Sequence, residues 1–311
     1  MRDAFTAALQ ELAKNDPNIF LITGDLGFGV LKPYWETYPH QFVNAGISEQ
    51  AMTGMAAGMA LSGKTVFTYS IGNFPTLRCL EQIRNDCAYH RANVKIVCVG
   101  GGFVYGSLGM SHHATEDMAI LRSLPDVAVF TPGDPTEVRA VMPVLTSHPG
   151  TCYLRLGRGG EPTLHQKPIE NYRIGQGLCL QEGQDVALLS AGGILSQTIA
   201  AAEILEKQGV SAGVYSFPTL KPLDEDLVRR LAKALPLLVT VEEHTILGGL
   251  GGAVAETVGD ISGSRARVMR IGMRDAYSAI VGSQQYLRKQ YGLDGAAIAQ
   301  KTLQALKEQK P

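Results

Sequence analysis

Three stretches of the chain hold residues whose types and spacing could do chemistry. Glu49 stands at the start of an expected helix whose following residues, 51–61, carry no charge on any face. Such a helix is expected to be buried all round. Gly54 and Gly58, four apart on one face, would let another backbone come close. An acid in a first turn ordinarily complements the helix dipole, worth about 0.3–1 kcal/mol. Burial changes that reading, because a desolvated carboxylate costs several kcal/mol unless a partner shares its charge or a proton. A ligand nitrogen is one such partner. The second stretch runs from Gly100 to His113 after an apolar run. Its glycines do not fit GxGxxG, since Tyr105 occupies the sixth position, and the adjacent His112 and His113 lack metal-ligand spacing. The third is the turn at residues 70–75, whose Phe74 follows Phe67 and Tyr69 of an expected strand. Aromatics there are ordinarily core.

The elements that must position these residues alternate. Apolar runs at 19–23, 65–69, 94–99, 127–130 and 152–156 read as strands buried on both faces, separated by helical patterns at 48–61, 77–90, 115–123 and 135–146. Residues 1–17 read as an amphipathic helix. Residues 157–177, rich in glycine and proline and without helical period, read as a linker. A second alternation follows, with strands at 186–190, 211–215, 237–241 and 268–271 and helices at 193–208, 224–232 and 249–258. The expected fold class is α/β, two domains each built on a parallel sheet, at residues 1–160 and 181–311 with a linker at 161–180. Loops at the carboxyl ends of such strands are where ligands bind.

Composition bounds the rest. The 311 residues carry 28 basic and 29 acidic side chains, a net charge of −1 that argues against nucleic acid as partner. Glycine reaches 35 of 311, above the usual ~7%, which points to tight turns and close backbone approaches. No apolar run attains the ~18 residues of a membrane span. The five cysteines form no CxxC and suit a reducing, cytoplasmic setting.

Gly46-Ile47-Ser48-Glu49-Gln50 followed by a Gly/Ala/Met helix resembles the pyrimidine-binding domain of the transketolase family of thiamine-diphosphate enzymes. Gly24-Asp25-Leu26 resembles an early loop of that family. Ser123-Leu124-Pro125 with Thr131-Pro132-Gly133-Asp134 resembles the stretch closing the first domain, and Val241-Glu242-Glu243-His244 with Gly248-Gly249-Leu250-Gly251 resembles the C-terminal domain. The resemblance implies thiamine diphosphate as cofactor. It implies that Glu49 hydrogen-bonds N1′ of the aminopyrimidine, so that the ring removes the thiazolium C2 proton and an ylide forms. It places Phe74 as the aromatic stacked on that ring, with Tyr69 as fallback, and Leu26 beside the cofactor. His112 falls beside the donor's reacting oxygens as catalytic hydrogen-bond donor or proton shuttle, and His113 where relatives have glutamine. Asp25 and Arg158 complete the implied substrate contacts, Arg158 toward a phosphate or other anion. Glu242, Glu243 and His244 belong to a domain the family uses mainly for subunit contacts.

Departures from the pattern also inform. Transketolases commonly carry a sugar-reading aspartate at the Leu108 position and a phosphate-contacting histidine near Gly100; both are missing. Gly-Asp-Gly, the mark of the domain that holds the diphosphate through Mg²⁺, does not occur. The resemblance therefore implies the C-terminal subunit of a split transketolase. A separate N-terminal subunit would supply the Mg²⁺ ligands in an α2β2 assembly, and a two-carbon ketol unit would pass from a ketose sugar, phosphorylated or otherwise anionic, to an aldose. Alternatives are the beta subunit of a 2-oxo-acid dehydrogenase, a deoxyxylulose-phosphate-synthase-like enzyme, and a regulatory subunit that keeps the fold.

Overall fold

The computed structural model describes residues 1–263 and 266–308. In chain order its strands are β1 Ile19–Thr23, β2 Phe42–Asn44, β3 Thr65–Ile71, β4 Val94–Val99, β5 Val127–Phe130, β6 Thr151–Leu156, β7 Leu178–Gln181, β8 Val186–Ala191, β9 Ala212–Ser216, β10 Thr219–Lys221, β11 Leu237–Thr245 and β12 Arg267–Met273. Its helices are α1 Arg2–Asn15, α2 Lys32–Thr37, α3 Glu49–Leu61, α4 Leu80–Gln82 (running into a π-helical turn, Ile83–Ala88), α5 Asp117–Ser123, α6 Pro135–Ser147, α7 Leu195–Lys207, α8 Glu225–Ala234, α9 Leu250–Gly259, α10 Gln284–Gln290 and α11 Gly295–Lys307.

Two sheets result. The first has the order β10-β5-β6-β4-β3-β1-β2 and the second β12-β11-β8-β9-β7. All pairings are parallel except β10 with β5 and β7 with β9. β4, β6 and β8 are buried along their whole length, as expected of apolar runs covered by helices on both faces. From β1 the chain moves out to β2 and returns past β1 to β3. The loops after β1, β2 and β3 therefore meet at the carboxyl edge where the order reverses.

The short edge strands β2, β7 and β10, and helices α2, α10 and α11, had no signature in the apolar runs. β10 is the notable case: it follows β9 of the second sheet but completes the first, pairing Thr219 with Phe130. Residues 157–177 hold no helix or strand but are tied down. Leu164 and His165 donate backbone hydrogen bonds to Asp134 at 2.7 and 3.2 Å, and His165 meets Glu137 at 2.8 Å.

One expectation is corrected. α3 is not buried all round: its Met52, Ala56 and Ala60 face β3, while Gln50, Ala51, Met55, Gly58 and Leu61 are exposed. Among the described residues nothing lies within 4 Å of where a Cβ on Gly54 or Gly58 would stand, so none of their backbone uses that opening. The lack of charge is a property of the exposed face as well as the buried one.

Candidate active site

Glu49 is the first residue of α3 and only 4% exposed. Its place is set by two loops stitched together in front of it. Asn44 accepts the N–H groups of Asp25 and Gly46, each at 3.0 Å, and its amide donates to Asp25 Oδ1 at 2.9 Å. Asp25 adopts φ +58°, a conformation a short polar side chain tolerates through such local bonds. Gly24 lies directly against Glu49: a Cβ there would stand 3.5 Å from Glu49 Cγ. Leu26, with Thr23, Phe28, Trp35, Pro39, Phe42 and Asn44, lines an apolar hollow of about 380 Å³ beside the loop.

From Glu49 a chain of contacts leads to the histidine loop. Arg78 Nη1 donates to Glu49 Oε2 at 2.8 Å; among the described residues no donor reaches the other carboxylate oxygen. The same guanidinium lies 4.4 Å from the Phe74 ring centroid. Phe74, half-buried, meets the His112 ring edge-on at 5.1 Å. Burial, and then the neighbouring His113, push His112 below the ordinary histidine range. The ring is thus neutral at pH 7 and has one donor and one acceptor nitrogen; Ser111 Oγ lies 3.0 Å from Nδ1.

The other expected residues are placed as follows. His113 is buried and points away, its Nε2 3.2 Å from Gly106 O. Tyr69 is not with the group. It is buried in the core and stacked on Phe5 at 6.1 Å, whereas Phe74 lies between Arg78 and His112. Arg158 is exposed, 5.7 Å from the Tyr105 ring, and lines a cleft of about 430 Å³ between the two halves. Leu108, which stands where the family commonly has aspartate, is 54% exposed. The missing histidine at 100 has a steric account: Gly100 takes φ +101°, and a Cβ would overlap the Tyr105 ring.

Arg78 and Asn44 were not foreseen. Arg78 follows Phe74 by four residues, and its cationic type opposite a buried acid was the available signal. Glu242 and His244 are structural. Glu242, raised above the usual carboxylate range by burial, accepts the Leu250 and Gly251 N–H groups at 2.8 Å and so caps α9. His244 accepts the Ala119 N–H at 3.3 Å. Asp134, Glu137 and His165 lie close enough to offer atoms to a metal, but all four carboxylate oxygens already take part in hydrogen bonds to Gly133, Glu137, Leu164 and His165. Among the described residues no helix is long and apolar enough to cross a membrane.

Two open, mostly parallel sheets, with a buried glutamate, an aromatic and a histidine converging at the first sheet's carboxyl edge, define two α/β domains in series, the first bearing the candidate site. Comparison with known proteins agrees. Residues 1–161 match the transketolase pyrimidine-binding domain and residues 175–298 the transketolase C-terminal domain. The chain is 35% identical to one subunit of the apulose-4-phosphate transketolase of Phocaeicola vulgatus, over 99% of this chain and 97% of that one. It is 33% identical to the 6-deoxy-6-sulfo-D-fructose transketolase subunit SqwH of Clostridium sp. strain MSTE9, over 96% and 92%. A solved structure described as a split gene transketolase, inactive beta4 tetramer, superposes with TM-score 0.86 at 34% identity, covering 98% of this chain and 97% of that one. The chain belongs to the transketolase family.

Proposed function

We propose that this chain is the pyrimidine-binding and C-terminal subunit of a split transketolase, which moves a two-carbon ketol unit from a ketose to an aldose. The observation that carries the reading is Glu49: a buried carboxylate with one oxygen fixed by Arg78 and the other without a donor among the described residues, beside Phe74 and His112. That donor set fits an aminopyrimidine. Thiamine diphosphate, when bound, supplies the carbon nucleophile. Glu49 would hold a shared proton against the ring nitrogen, while Arg78 keeps its carboxylate from rotating. Phe74 would give the ring a face to lie on. His112, neutral at pH 7, can donate to a substrate oxygen or take its proton.

The partner reading rests on what surrounds the site. Ile47 is 81% exposed and Leu61 60%, and Met55, Leu108 and Met110 are also open. Met55 and Leu61 lie on the exposed side of α3, with Ile47 just before it, and exposed apolar surface along one element is what an interaction face presents. A second subunit bearing the diphosphate and Mg²⁺ ligands would cover it, in an α2β2 assembly active only when both are present. The ketose would end in an anion. Two relatives act on a phosphorylated and a sulfonated sugar by their names, and Arg158, exposed and without an ion pair among the described residues, could meet either group. Five free cysteines, four of them buried, suit the cytoplasm.

The test is gentle purification of the chain from its source, identification of what accompanies it, and assay for bound thiamine diphosphate. A companion of about the size of one domain pair carrying Gly-Asp-Gly, with ketol transfer from a phosphorylated or sulfonated ketose, supports the reading. A lipoyl-bearing companion and release of carbon dioxide would move it to a 2-oxo-acid dehydrogenase. A pair that binds cofactor but turns over nothing would make it regulatory.

A further inference from the structure

The loop that carries His112 is seated on the C-terminal half. Glu243, in β11, accepts the backbone N–H of Phe103 at 2.5 Å. Its carboxylate is fixed in turn from α10, by Gln284 Nε2 at 2.8 Å and by an ion pair with Arg288. Gly102, at φ +67°, leaves only 2.5 Å between a would-be Cβ and Glu243 Oε1, so the loop and the carboxylate are built to fit. The Phe103 ring is wholly buried, stacked on Tyr291 at 5.3 Å and meeting His113 edge-on at 5.2 Å. Gly106, the acceptor for His113, takes the Gly282 N–H at 3.2 Å and lies under Leu287. The run of contacts from Glu243 and Tyr291 through Phe103 and His113 ends one residue from His112.

We infer that the C-terminal half positions His112. Glu243 and Tyr291 act as positioning residues, fixing the histidine loop through Phe103, rather than serving assembly alone. The inference rests on His112 facing substrate. A buried ion pair adds little net stability but holds a geometry, and a displacement of about 1 Å can cost on the order of a hundredfold in rate.

The experiment compares wild-type chain with Tyr291→Leu, Tyr291→Phe and the double variant Glu243→Leu/Arg288→Met, which removes both buried charges together. Amide hydrogen exchange is measured by mass on each isolated chain. Exchange in residues 102–113 is expected to rise about tenfold or more in Tyr291→Leu and in the double variant, with β4 unchanged, and to stay at the wild-type level in Tyr291→Phe, which keeps the stack. In the complex with its native partner, kcat is expected to fall about tenfold to a hundredfold while KM for the ketose holds, again with Tyr291→Phe spared. Loop exchange that stays at the wild-type level in folded Tyr291→Leu, or that rises equally in β4, overturns the inference, as does a kcat equal to wild type. If wild-type complex transfers no ketol unit, the proposed function falls, and the exchange pattern still decides whether the seat exists.

Discussion

Glu49 is held by one oxygen and open at the other, and that asymmetry makes a simple prediction. Glu49→Gln keeps the size and an oxygen for Arg78 but can no longer hold a shared proton. Turnover of the assembled enzyme should fall by roughly 10²–10⁴, the usual range for an acid–base group, with the isolated chain melting as before; full turnover would sink the mechanism. Arg78→Met should leave the carboxylate buried without its partner and lower both turnover and cofactor affinity, readable by titrating thiamine diphosphate against activity. Glu49, Phe74 and His112 were legible because each sits in a stretch that resembles the family at fixed positions. Arg78 and Asn44 were not, since their roles arise only when loops distant in sequence meet: the Asn44 side chain does nothing until β2 lies beside β1 and brings it to Asp25.

At the scale of elements, strands buried on both faces were readable from composition alone. Val94–Val99 and Val127–Phe130 have the bounds their apolar runs predict. Phe42–Asn44, Leu178–Gln181 and Thr219–Lys221 lie at sheet edges and are only partly buried, and each carries a polar residue where Val127–Phe130 has none, so no continuous apolar run marks them. The departure at Gly100 was visible in sequence but its cause was not. Gly100→Ala would force a side chain into φ +101° and into the Tyr105 ring. The strained backbone costs about 1–3 kcal/mol and the overlap adds to it. Urea denaturation should show the loss, and a second substitution, Tyr105→Ala, should recover the overlap but not the backbone portion.

At the scale of the whole molecule, the linker is fastened by a titratable pair. Burial disfavours charge on His165, yet the hydrogen bond and charge of Glu137, with Asp134 nearby, outweigh it and raise its pKa above the ordinary histidine value. A raised folded pKa stabilises fully below the unfolded value of about 6.5 and is lost as pH climbs through the folded one. Wild-type chain should therefore lose stability from about pH 6.5 upward, and His165→Ala should flatten that part of the profile in thermal melts taken at several pH values. The exposed side of α3 makes a second prediction. Met55→Asp with Leu61→Lys should change the stability of the isolated chain by no more than about 0.5 kcal/mol per site while abolishing co-purification of the partner.

β10 bears on how the chain comes into being. The edge of the first sheet beside β5 is closed by Thr219–Lys221, residues that follow three strands of the second sheet in sequence. During synthesis, β5 can pair with β6 but must wait with its outer edge bare until residue 221 has left the ribosome, and a bare edge invites pairing with another chain. A polypeptide stopped in the linker would be left in that condition permanently. Expressed alone, the first 160 residues should aggregate, and adding the remainder in trans should rescue them only if it arrives before they do.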